Sequence, residues 1–574
     1  MGAPRVGRGR RAIPALAAAI LALSGPALAQ IAPGPPPAAG LTAPELNPAA
    51  RAPRPPPRDA DVFAPEPPGP CPLADSTVEV TLTSVSFRGA TALGAADFAP
   101  AYREFIGKPQ RVSVICEIRD RAARALFDRG VLARVEIPEQ RIAGGALILD
   151  VVEAHVVNVR VRGDIGPAQA AVERYVEKLR GMRPFDMRKA QRYLLLASDV
   201  PGVRVRAAVK PSVSPERGAV DIDVSVTRSA VTLVGNVQNL GSKTVGPWSG
   251  LLRADARSFT ALGEDTALVV FHTLDSKEQW VVQLLESARF GGDGWIGRIS
   301  AVYGESRPGD ILKPLALKST SVVAGAEAAY PLIRRRRLNV NLAGGFDYID
   351  QQTDVGGGGT LTQDRLRVLY LRTDGDLRTA VFDRPVLVSG AVTVRKGLSG
   401  LGASPAGGPR VTRNLAAPDA WLIRLAGAVD APVAGRVSAS ARLQAQYAAK
   451  PLAPYEQISL GALTVGRGYD PAAVLGDSGV AGSLELRYNG LQVFPQLLAS
   501  PYVFFDAGYV RNNQAAQSGL DPSRTLRSFG AGVAFRLANR ANLDISYAQP
   551  IDSVALGAER AAPRLLVNLT ASFL

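Results

Sequence analysis

From about residue 230 to its end, the chain alternates apolar and polar residues at every second position. Residues 338–348, 436–447 and 565–573 each carry Leu, Val, Ala, Phe or Tyr on one face and mostly Arg, Gln, Asn, Asp, Ser or Thr on the other. Such segments are about ten residues long and are separated by turns of Gly, Asp, Pro and Ser. A period of two predicts β-strands. Helical spacing is missing from this part of the sequence, so no helices are predicted there.

A single alternating strand fits a soluble β-sandwich as well as a membrane barrel. Here the pattern extends over about 345 residues, enough for roughly sixteen strands, with aromatic residues near the strand ends. Open strand edges cannot be satisfied in lipid, so such a sheet has to close. We therefore predict a transmembrane β-barrel of about sixteen antiparallel strands over residues 229–574, with an apolar exterior and a wet lumen. Phe573, next to the last residue, falls on the apolar face.

The segment before the barrel contains a repeat with a period of about 75 residues. Residues 75–154 and 155–228 each read strand, helix, helix, strand, strand, and the first strand of each copy stops at an Arg-Gly pair. The predicted strands are 80–89, 133–137 and 146–153, then 156–163, 203–210 and 220–226; the predicted helices are 95–106 and 112–127, then 167–179 and 187–196. Two small α+β domains follow from this pattern.

The N-terminus predicts export from the cytoplasm. An Arg-rich start, an apolar run over residues 12–23 and the sequence Ala27-Leu28-Ala29 are typical of a signal peptide over residues 1–29. Residues 30–74 are dominated by Pro and Ala, which predicts an extended periplasmic tether that packs neither as helix nor as sheet. Nowhere else is an apolar run long enough for a membrane-spanning helix.

The formal net charge of +15 does not change this picture. Several Arg residues belong to the predicted signal peptide, and the other basic residues are scattered among acidic ones rather than gathered in a patch. Nucleic-acid binding is therefore not expected. Basic residues that face a pore or anionic lipid headgroups account for the charge.

The only two cysteines, Cys71 and Cys116, are candidates for a disulfide. An exported chain meets an oxidising compartment, and an even number of cysteines allows pairing. The closed loop of about 45 residues would contribute roughly 4 kcal/mol in the chain-entropy model. The alternative is two free thiols.

The strongest motif lies in a long connection between predicted strands, near residues 460–479. It contains Arg467-Gly468-Tyr469, with Gly466 and Gly468 flanking Arg467, and a later strand contains Asp506 and Gly508 on one face, taken as inward. If the loop folds into the lumen, Arg467 can pair with Asp506, and Gly508 leaves room beside it. The alternative is an ordinary extracellular loop with an Arg in a turn.

These motifs resemble the outer-membrane transporters of two-partner secretion, the TpsB family of FhaC/ShlB type within the BamA superfamily. Members have a periplasmic tether, two POTRA domains and a sixteen-stranded barrel. Their sixth extracellular loop carries an Arg-Gly-Tyr/Phe motif that reaches an Asp on a barrel strand, matched here by Arg467, Gly468, Tyr469 and Asp506. The family usually has Val before the Arg, where this chain has Gly466. Several members plug the barrel with an N-terminal helix. Residues 31–70 of this chain are so Pro-rich that their sequence does not predict such a helix.

The resemblance implies export of a large exoprotein of haemolysin or adhesin type, bound by the POTRA domains, through a monomeric pore in contact with lipid and lipopolysaccharide. No cofactor, metal or enzymatic activity is expected. Residues 476–479, Gly-Asp-Ser-Gly, resemble a serine-protease motif, but a His base is missing nearby, since the chain has only His155 and His272. The other readings are a BamA- or TamA-like insertion factor and a passive porin or surface adhesin; the repeat disfavours a porin.

Overall fold

A computed structural model of the protein describes residues 40–51, 70–274, 278–356, 358–518, 520–538, 540–553 and 561–573. The predicted signal peptide, residues 1–29, lies outside these ranges, as do residues 30–39 and 52–69 of the predicted tether. Among the helices in the described ranges, none is both long enough and apolar enough to cross a membrane.

Two small α+β modules precede the barrel and have the element order that the repeat predicts. The first contains β1 (Glu79–Thr81), β2 (Ser84–Arg88), α1 (Ala95–Tyr102), β3 (Pro109–Arg111), α2 (Val114–Asp128), β4 (Ala133–Glu136) and β5 (Ala146–Glu153). The second contains β6 (His155–Arg162), α3 (Ala168–Val176), α4 (Met187–Ser198), β7 (Val203–Pro211) and β8 (Ala219–Arg228). The sheets have the orders β2-β5-β4 and β6-β8-β7, with the outer strands β2 and β6 parallel to the central strand. The helices cover one face of each sheet and form its core.

The first predicted strand, residues 80–89, is interrupted at Leu82. This side chain is buried in the module core, and the break lets β1 pair with β3 while β2 pairs with β5. The first predicted helix also ends early: α1 stops at Tyr102 and continues as a 3-10 turn over Arg103–Phe105. Element boundaries are the part of a pattern-based prediction that tertiary contacts most often move.

From Val231 onward, the described residues form a closed antiparallel barrel of sixteen strands. Its elements are β9 (Val231–Gln238), β10 (Ser249–Arg257), β11 (Asp265–Thr273), β12 (Gln279–Phe290), β13 (Trp295–Ser306), β14 (Lys318–Arg334), β15 (Leu338–Val355), β16 (Gly359–Val381), β17 (Arg384–Gly397), β18 (Trp421–Ala434), β19 (Val437–Ala448), β20 (Ile458–Leu460), β21 (Val474–Gly476), β22 (Ser478–Tyr488), β23 (Leu491–Phe494), β24 (Leu497–Arg511), α5 (Ala515–Ser518), β25 (Ser523–Leu537), β26 (Ala541–Pro550) and β27 (Arg564–Ser572). Strands β22 and β23 both pair with β24 and form one interrupted barrel strand, β20 and β21 pair with each other, and β27 closes the barrel against β9.

The barrel faces agree with the predicted alternation. Apolar side chains point outward and are exposed, among them Ile299, Leu443 and Leu565. Aromatic pairs lie on the exterior, such as Trp295 with Tyr330, whose ring centres are 4.9 Å apart. An exposed apolar band with aromatic residues at its borders is what a lipid bilayer requires. The short helix α5, which the sequence did not predict, belongs to the connection between β24 and β25 and not to the wall.

The second module is docked on the turns at one end of the barrel. Asp199, at the C-terminus of α4, forms a two-point ion pair with Arg334 of β14, with both N–O distances 2.7 Å. Arg192 of α4 donates to the carbonyl oxygen of Pro331 (2.9 Å), and Arg174 of α3 donates to that of Ala261 (2.9 Å). These contacts place the second module at one end of the barrel and the long connection between β19 and β22 at the other end.

The expectation of an unpacked tether is wrong for residues 40–51. This segment lies inside the barrel, turns through Pro44 and Glu45, and ends in a 3-10 helix over Pro48–Arg51. Leu41 and Leu46 are buried against luminal side chains of β10 to β16. The composition was a poor guide because the two Leu residues, rather than the surrounding Pro and Ala, determine where the segment packs.

Candidate functional site

The connection between β19 and β22 folds back into the barrel. Its strands β20 and β21 pair as an antiparallel hairpin. Leu460 and Val474 of this hairpin are buried against Val510 of β24 and Leu526 of β25, which share the luminal face with Asp506. Burial of this apolar cluster draws the loop out of water and onto the barrel wall.

Arg467 lies at the tip of this inward-folded loop and binds Asp506 of β24. Its guanidinium donates from Nε to Oδ2 (3.1 Å) and from Nη2 to Oδ1 (3.0 Å), and its backbone N–H donates to Oδ2 (2.9 Å). Asp506 is 1% exposed. A charged, two-point pair that is shielded from water is among the stronger and more directional contacts in proteins. The structure therefore brings together the Arg and the Asp that the sequence singled out.

Three side chains that the sequence did not single out complete the Arg467 site. Nη1 donates to Glu485 Oε2 (3.0 Å), Nη2 donates to Ser483 Oγ (2.7 Å), and the guanidinium stacks 3.6 Å from the centre of the Phe504 ring. Ser483 and Glu485 lie on β22, the neighbour of β24. Because Ser483 and Glu485 are two residues apart on one strand, the sequence places them on the same face. Many luminal pairs share that spacing, so it did not identify them as partners of Arg467.

The loop approaches the wall closely at Gly466, the position before Arg467. Gly466 has a φ of +119°, and a Cβ there would lie 2.4 Å from Cδ2 of Leu526. A Cβ on Gly468 would lie 2.9 Å from the Cβ of Ser528. Both glycines flanking Arg467 are therefore required by geometry.

Tyr469, which is 1% exposed, extends the loop contacts to β25 and the end of β26. Its hydroxyl lies 2.7 Å from the carbonyl oxygen of Arg527 and accepts a hydrogen bond from the backbone N–H of Asp552 (2.9 Å). Its own carbonyl oxygen accepts from Arg564 of β27. The three residues 467–469 thus contact four consecutive strands, β24 to β27, as well as β22.

Gly508 provides the space that the sequence suggested, although the group beside it is apolar. A Cβ on Gly508 would lie 2.6 Å from Cδ1 of Leu460 and 3.0 Å from the Cβ of Ala481. Leu460 belongs to the inward-folded loop and is fully buried. Gly508 therefore accommodates the hairpin itself rather than the Arg467 guanidinium.

A second ionic contact holds the base of the same loop. Glu456 accepts two hydrogen bonds from Arg395 of β17, at 2.9 and 2.8 Å, and one from Arg424 of β18 at 3.1 Å. Gln446 of β19 donates to the Glu456 carbonyl oxygen (2.8 Å). No local motif around Glu456 predicted this role, because its partners are distant in sequence.

Asp477 of the Gly-Asp-Ser-Gly motif joins three connections at the barrel end opposite the second module. Its fully buried carboxylate binds Arg413 Nη1 (2.6 Å), the backbone N–H of Leu452 (2.9 Å) and the backbone N–H of Asn513 (2.8 Å). Ser478 Oγ accepts a hydrogen bond from the backbone N–H of Ala448 and donates one to the Ala448 carbonyl oxygen. The motif thus has structural partners at both of its polar side chains.

Cys71 and Cys116 form a disulfide that ties the start of the first module to helix α2. His155, one of the two histidines, contacts Glu216 Oε2 (2.9 Å) in the second module. His272 lies on β11 in the barrel wall.

A closed sixteen-stranded barrel, two α+β modules at one end and a loop pinned inside the lumen define an outer-membrane transport barrel. The chain belongs to the haemolysin secretion/activation protein family ShlB/FhaC/HecB, whose family model matches residues 218–535. The model of the ShlB-type POTRA domain matches residues 80–154. The predicted family, fold class and two-partner secretion function are thereby confirmed.

A relative aligns over most of the chain, and solved structures share its fold. The heme/hemopexin transporter protein HuxB of Haemophilus influenzae (strain 86-028NP) is 22% identical over 478 residues, 80% of this chain and 81% of HuxB. The structure of CdiB from Escherichia coli superposes with a TM-score of 0.72 at 16% identity, covering 90% of this chain and 94% of CdiB. BamA from Haemophilus ducreyi lacking POTRA domains 1–3 gives a TM-score of 0.50 at 14% identity, covering 86% of this chain and all of that structure.

Proposed function

We propose that this chain exports a large, extended exoprotein through its own barrel, as a monomer whose exterior contacts lipid and lipopolysaccharide. The exposed apolar band supports the lipid contact. Residues 75–154 and 155–228 serve as two periplasmic POTRA domains that receive the exoprotein before it enters the pore. No nucleotide supply is expected in the periplasm, so folding of the exoprotein outside the cell drives its passage.

The open strand edges of the two modules are the receiving surfaces in this proposal. Strands β2 and β6 lie at one edge of their sheets, and β7 lies at the opposite edge of the second sheet. An extended segment of the exoprotein adds to such an edge through main-chain hydrogen bonds, which tolerate many sequences. Docking of the second module on the barrel through Asp199 and Arg334 keeps these edges near the periplasmic mouth.

The observation that carries the proposal is the pinning of Arg467 to Asp506 inside a closed barrel. The loop occupies the wall from β17 to β27, and export requires it to hold this conformation. In this view Arg467, Gly468 and Tyr469 position the loop tip, Asp506 anchors it, and Gly508 admits the hairpin.

The test searches the neighbouring genes for a very large secreted repeat protein and reconstitutes the export of that exoprotein with this chain. Cells that produce both proteins should release the exoprotein, and cells that lack this chain should retain it in the periplasm. Depletion of this chain should leave the assembly of other outer-membrane barrels unchanged. Loss of other barrels with unaltered exoprotein release would contradict export and favour an insertion factor.

A further inference from the structure

The sheet of the second module has one face that points away from the barrel. Helices α3 and α4 cover the other face and contact the barrel turns through Arg174 and Arg192. The outer sheet face consists of alternate side chains of β6, β7 and β8, and most of them are exposed. Positive charge is in excess there, because five cations stand against two carboxylates: Arg160, Arg162, Arg204, Arg206 and Lys210 against Asp221 and Asp223.

Both carboxylates lie on the central strand β8 and already have cationic partners. Asp221 accepts a hydrogen bond from Arg160 Nη2 (3.0 Å). Asp223 accepts one from Lys210 Nζ (3.1 Å) and a longer one from Arg162 Nη2 (3.4 Å). The hydrogen bond from Lys210 holds the pKa of Asp223 below its usual value, so this carboxylate is ionised at neutral pH. The two arginines of the edge strand β6 therefore have acidic partners within the sheet.

The opposite edge strand, β7, has a different arrangement of charges. Arg204 is opposite Thr227 and Arg206 is opposite Ser225, so the neighbouring residue on β8 is neutral in both pairs. A cavity of about 260 Å³ lies beside Arg206 and is lined in part by Ala208 and Lys210. The cationic side chains of β7 are thus two residues apart and adjoin open space on the outer sheet face.

Strand β7 is at the open edge of its sheet and begins next to the barrel. The carbonyl oxygen of Pro201, two residues before β7, accepts a hydrogen bond from Ser258 Oγ (2.7 Å), directly after β10. Arg204 is consequently near the barrel, and Lys210 lies farther along the strand. A polypeptide that pairs with β7 would extend between the outer part of the module and the end of the barrel.

The two faces of β7 differ in polarity, and an added strand would meet both. On the inner face Val203 and Val205 are buried, and Ala207 and Val209 are half-buried. Side chains directly opposite on neighbouring antiparallel strands are about 5 Å apart, and opposite charges in such pairs are stabilising. The complementary strand therefore has acidic side chains on one face and apolar side chains on the other.

We propose that the edge of β7 binds an extended polypeptide segment with acidic side chains at every second position and apolar side chains between them. This inference rests on the proposed export function, in which the segment belongs to the exoprotein. Main-chain hydrogen bonds to β7 hold the segment, and pairing with Arg204 and Arg206 selects its charge. A segment with basic side chains at the same positions is rejected by like-charge repulsion.

Peptide binding to the purified full-length chain in detergent tests the proposal, with fluorescence anisotropy as the readout. The probes are a short labelled peptide that alternates Val and Glu, the same peptide with Lys in place of Glu, and the Glu peptide with alternate N-methylated amides. At low salt we expect the Glu peptide to bind at least about tenfold more tightly than the Lys peptide. N-methylation should abolish binding because it removes main-chain donors.

Charge reversal on β7 makes the test specific. Arg204→Glu combined with Arg206→Glu should reverse the preference, so that the Lys peptide binds more tightly than the Glu peptide. If that variant does not fold, Arg204→Gln combined with Arg206→Gln should bind both peptides equally. The matched control is Arg134→Glu, an exposed position on the edge strand β4 of the first module, which should retain the parental preference.

Three results would overturn the proposal. They are equal binding of the Glu and Lys peptides by the parent, full binding of the N-methylated peptide, and a Glu preference that persists when both β7 arginines are replaced.

Export in cells separates this inference from the proposed function. At equal levels of folded barrel, Arg204→Glu with Arg206→Glu should lower exoprotein release several-fold, and Arg134→Glu should not. Parental release by the double variant would overturn the assignment of the segment to the exoprotein. If even the unaltered chain releases no exoprotein while the Glu preference persists, the export function fails and the peptide site stands.

Discussion

Glu456 of the inward-folded loop and Arg395 of strand β17 form a two-point ion pair inside the barrel. Glu456 lies eleven residues before Arg467 in the chain. The pair fixes the base of the loop, whereas Arg467 and Asp506 fix its tip. Both partners are less than 10% exposed. Removing one member of a buried ion pair leaves the other charge uncompensated, at a cost of about 3–5 kcal/mol.

We expect Glu456→Gln to release the base of the loop. A single reporter thiol measures this: Ala473→Cys lies in the loop, packed against its apolar cluster, and the two native cysteines are already paired. Maleimide labelling of the reporter should be faster by at least about tenfold in Glu456→Gln than in the parent. Asp430→Asn, an exposed carboxylate on β18, is the control and should not change the rate. Equal labelling in parent and Glu456→Gln would remove this anchor from the account.

The Arg467 contacts should rank by charge and burial. Asp506→Asn removes a buried carboxylate that accepts three hydrogen bonds, whereas Ser483→Ala removes one neutral hydrogen bond worth about 1 kcal/mol. Glu485→Gln falls between them. Reporter labelling should therefore rise most for Asp506→Asn, less for Glu485→Gln and least for Ser483→Ala. A larger effect of Ser483→Ala than of Asp506→Asn would show that the ion pair is not the main anchor.

Gly466→Val, which introduces the usual family residue, should weaken the loop in this chain. The substitution adds strain at a positive φ and overlaps with Leu526. We expect faster labelling at the reporter, partly reversed by Leu526→Ala, which relieves the overlap but not the backbone strain. If the reporter in Gly466→Val alone is labelled at the parental rate, the loop has an alternative conformation that accepts a side chain at residue 466.

Asp477 should hold the extracellular connections together. Asp477→Asn weakens contacts to Arg413, Leu452 and Asn513 at once, so these connections should become more accessible. Proteinase K added to intact cells should cleave the variant faster between residues 398 and 420. Asp419→Asn, which breaks the exposed pair with Lys450, is the matched control and should have little effect because exposed pairs contribute 0–1 kcal/mol. Unchanged cleavage in Asp477→Asn would assign the motif no role in loop closure.

The sequence was sufficient for the features that depend on periodicity. Alternation predicted the strands and the outward face, because each wall residue has lipid on one side and the lumen on the other. Alternation also put Asp506 on the luminal face. Once the loop was assumed to fold inward, Asp506 could be predicted as the partner of Arg467. The resemblance to the TpsB family supplied that assumption.

Contacts between distant segments were beyond the sequence. Glu456 meets Arg395 and Arg424 only because the loop descends along β17 to β19. Leu41 and Leu46 lie in a Pro-rich stretch whose composition indicates an extended chain, and their burial depends on an apolar surface built from seven strands, β10 to β16. Asp477 belongs to a motif that resembles a protease site, and only the fold reveals its partners.

We propose that export requires the loop tip to be pinned by Arg467. The most direct measurement compares exoprotein release by Arg467→Ala and the parent at equal levels of folded, heat-modifiable barrel. The control is Arg436→Ala, in the exposed turn just before β19. We expect Arg467→Ala to retain the barrel, to expose the reporter at residue 473 and to release no exoprotein. Parental release from a variant whose reporter is exposed would contradict this proposal.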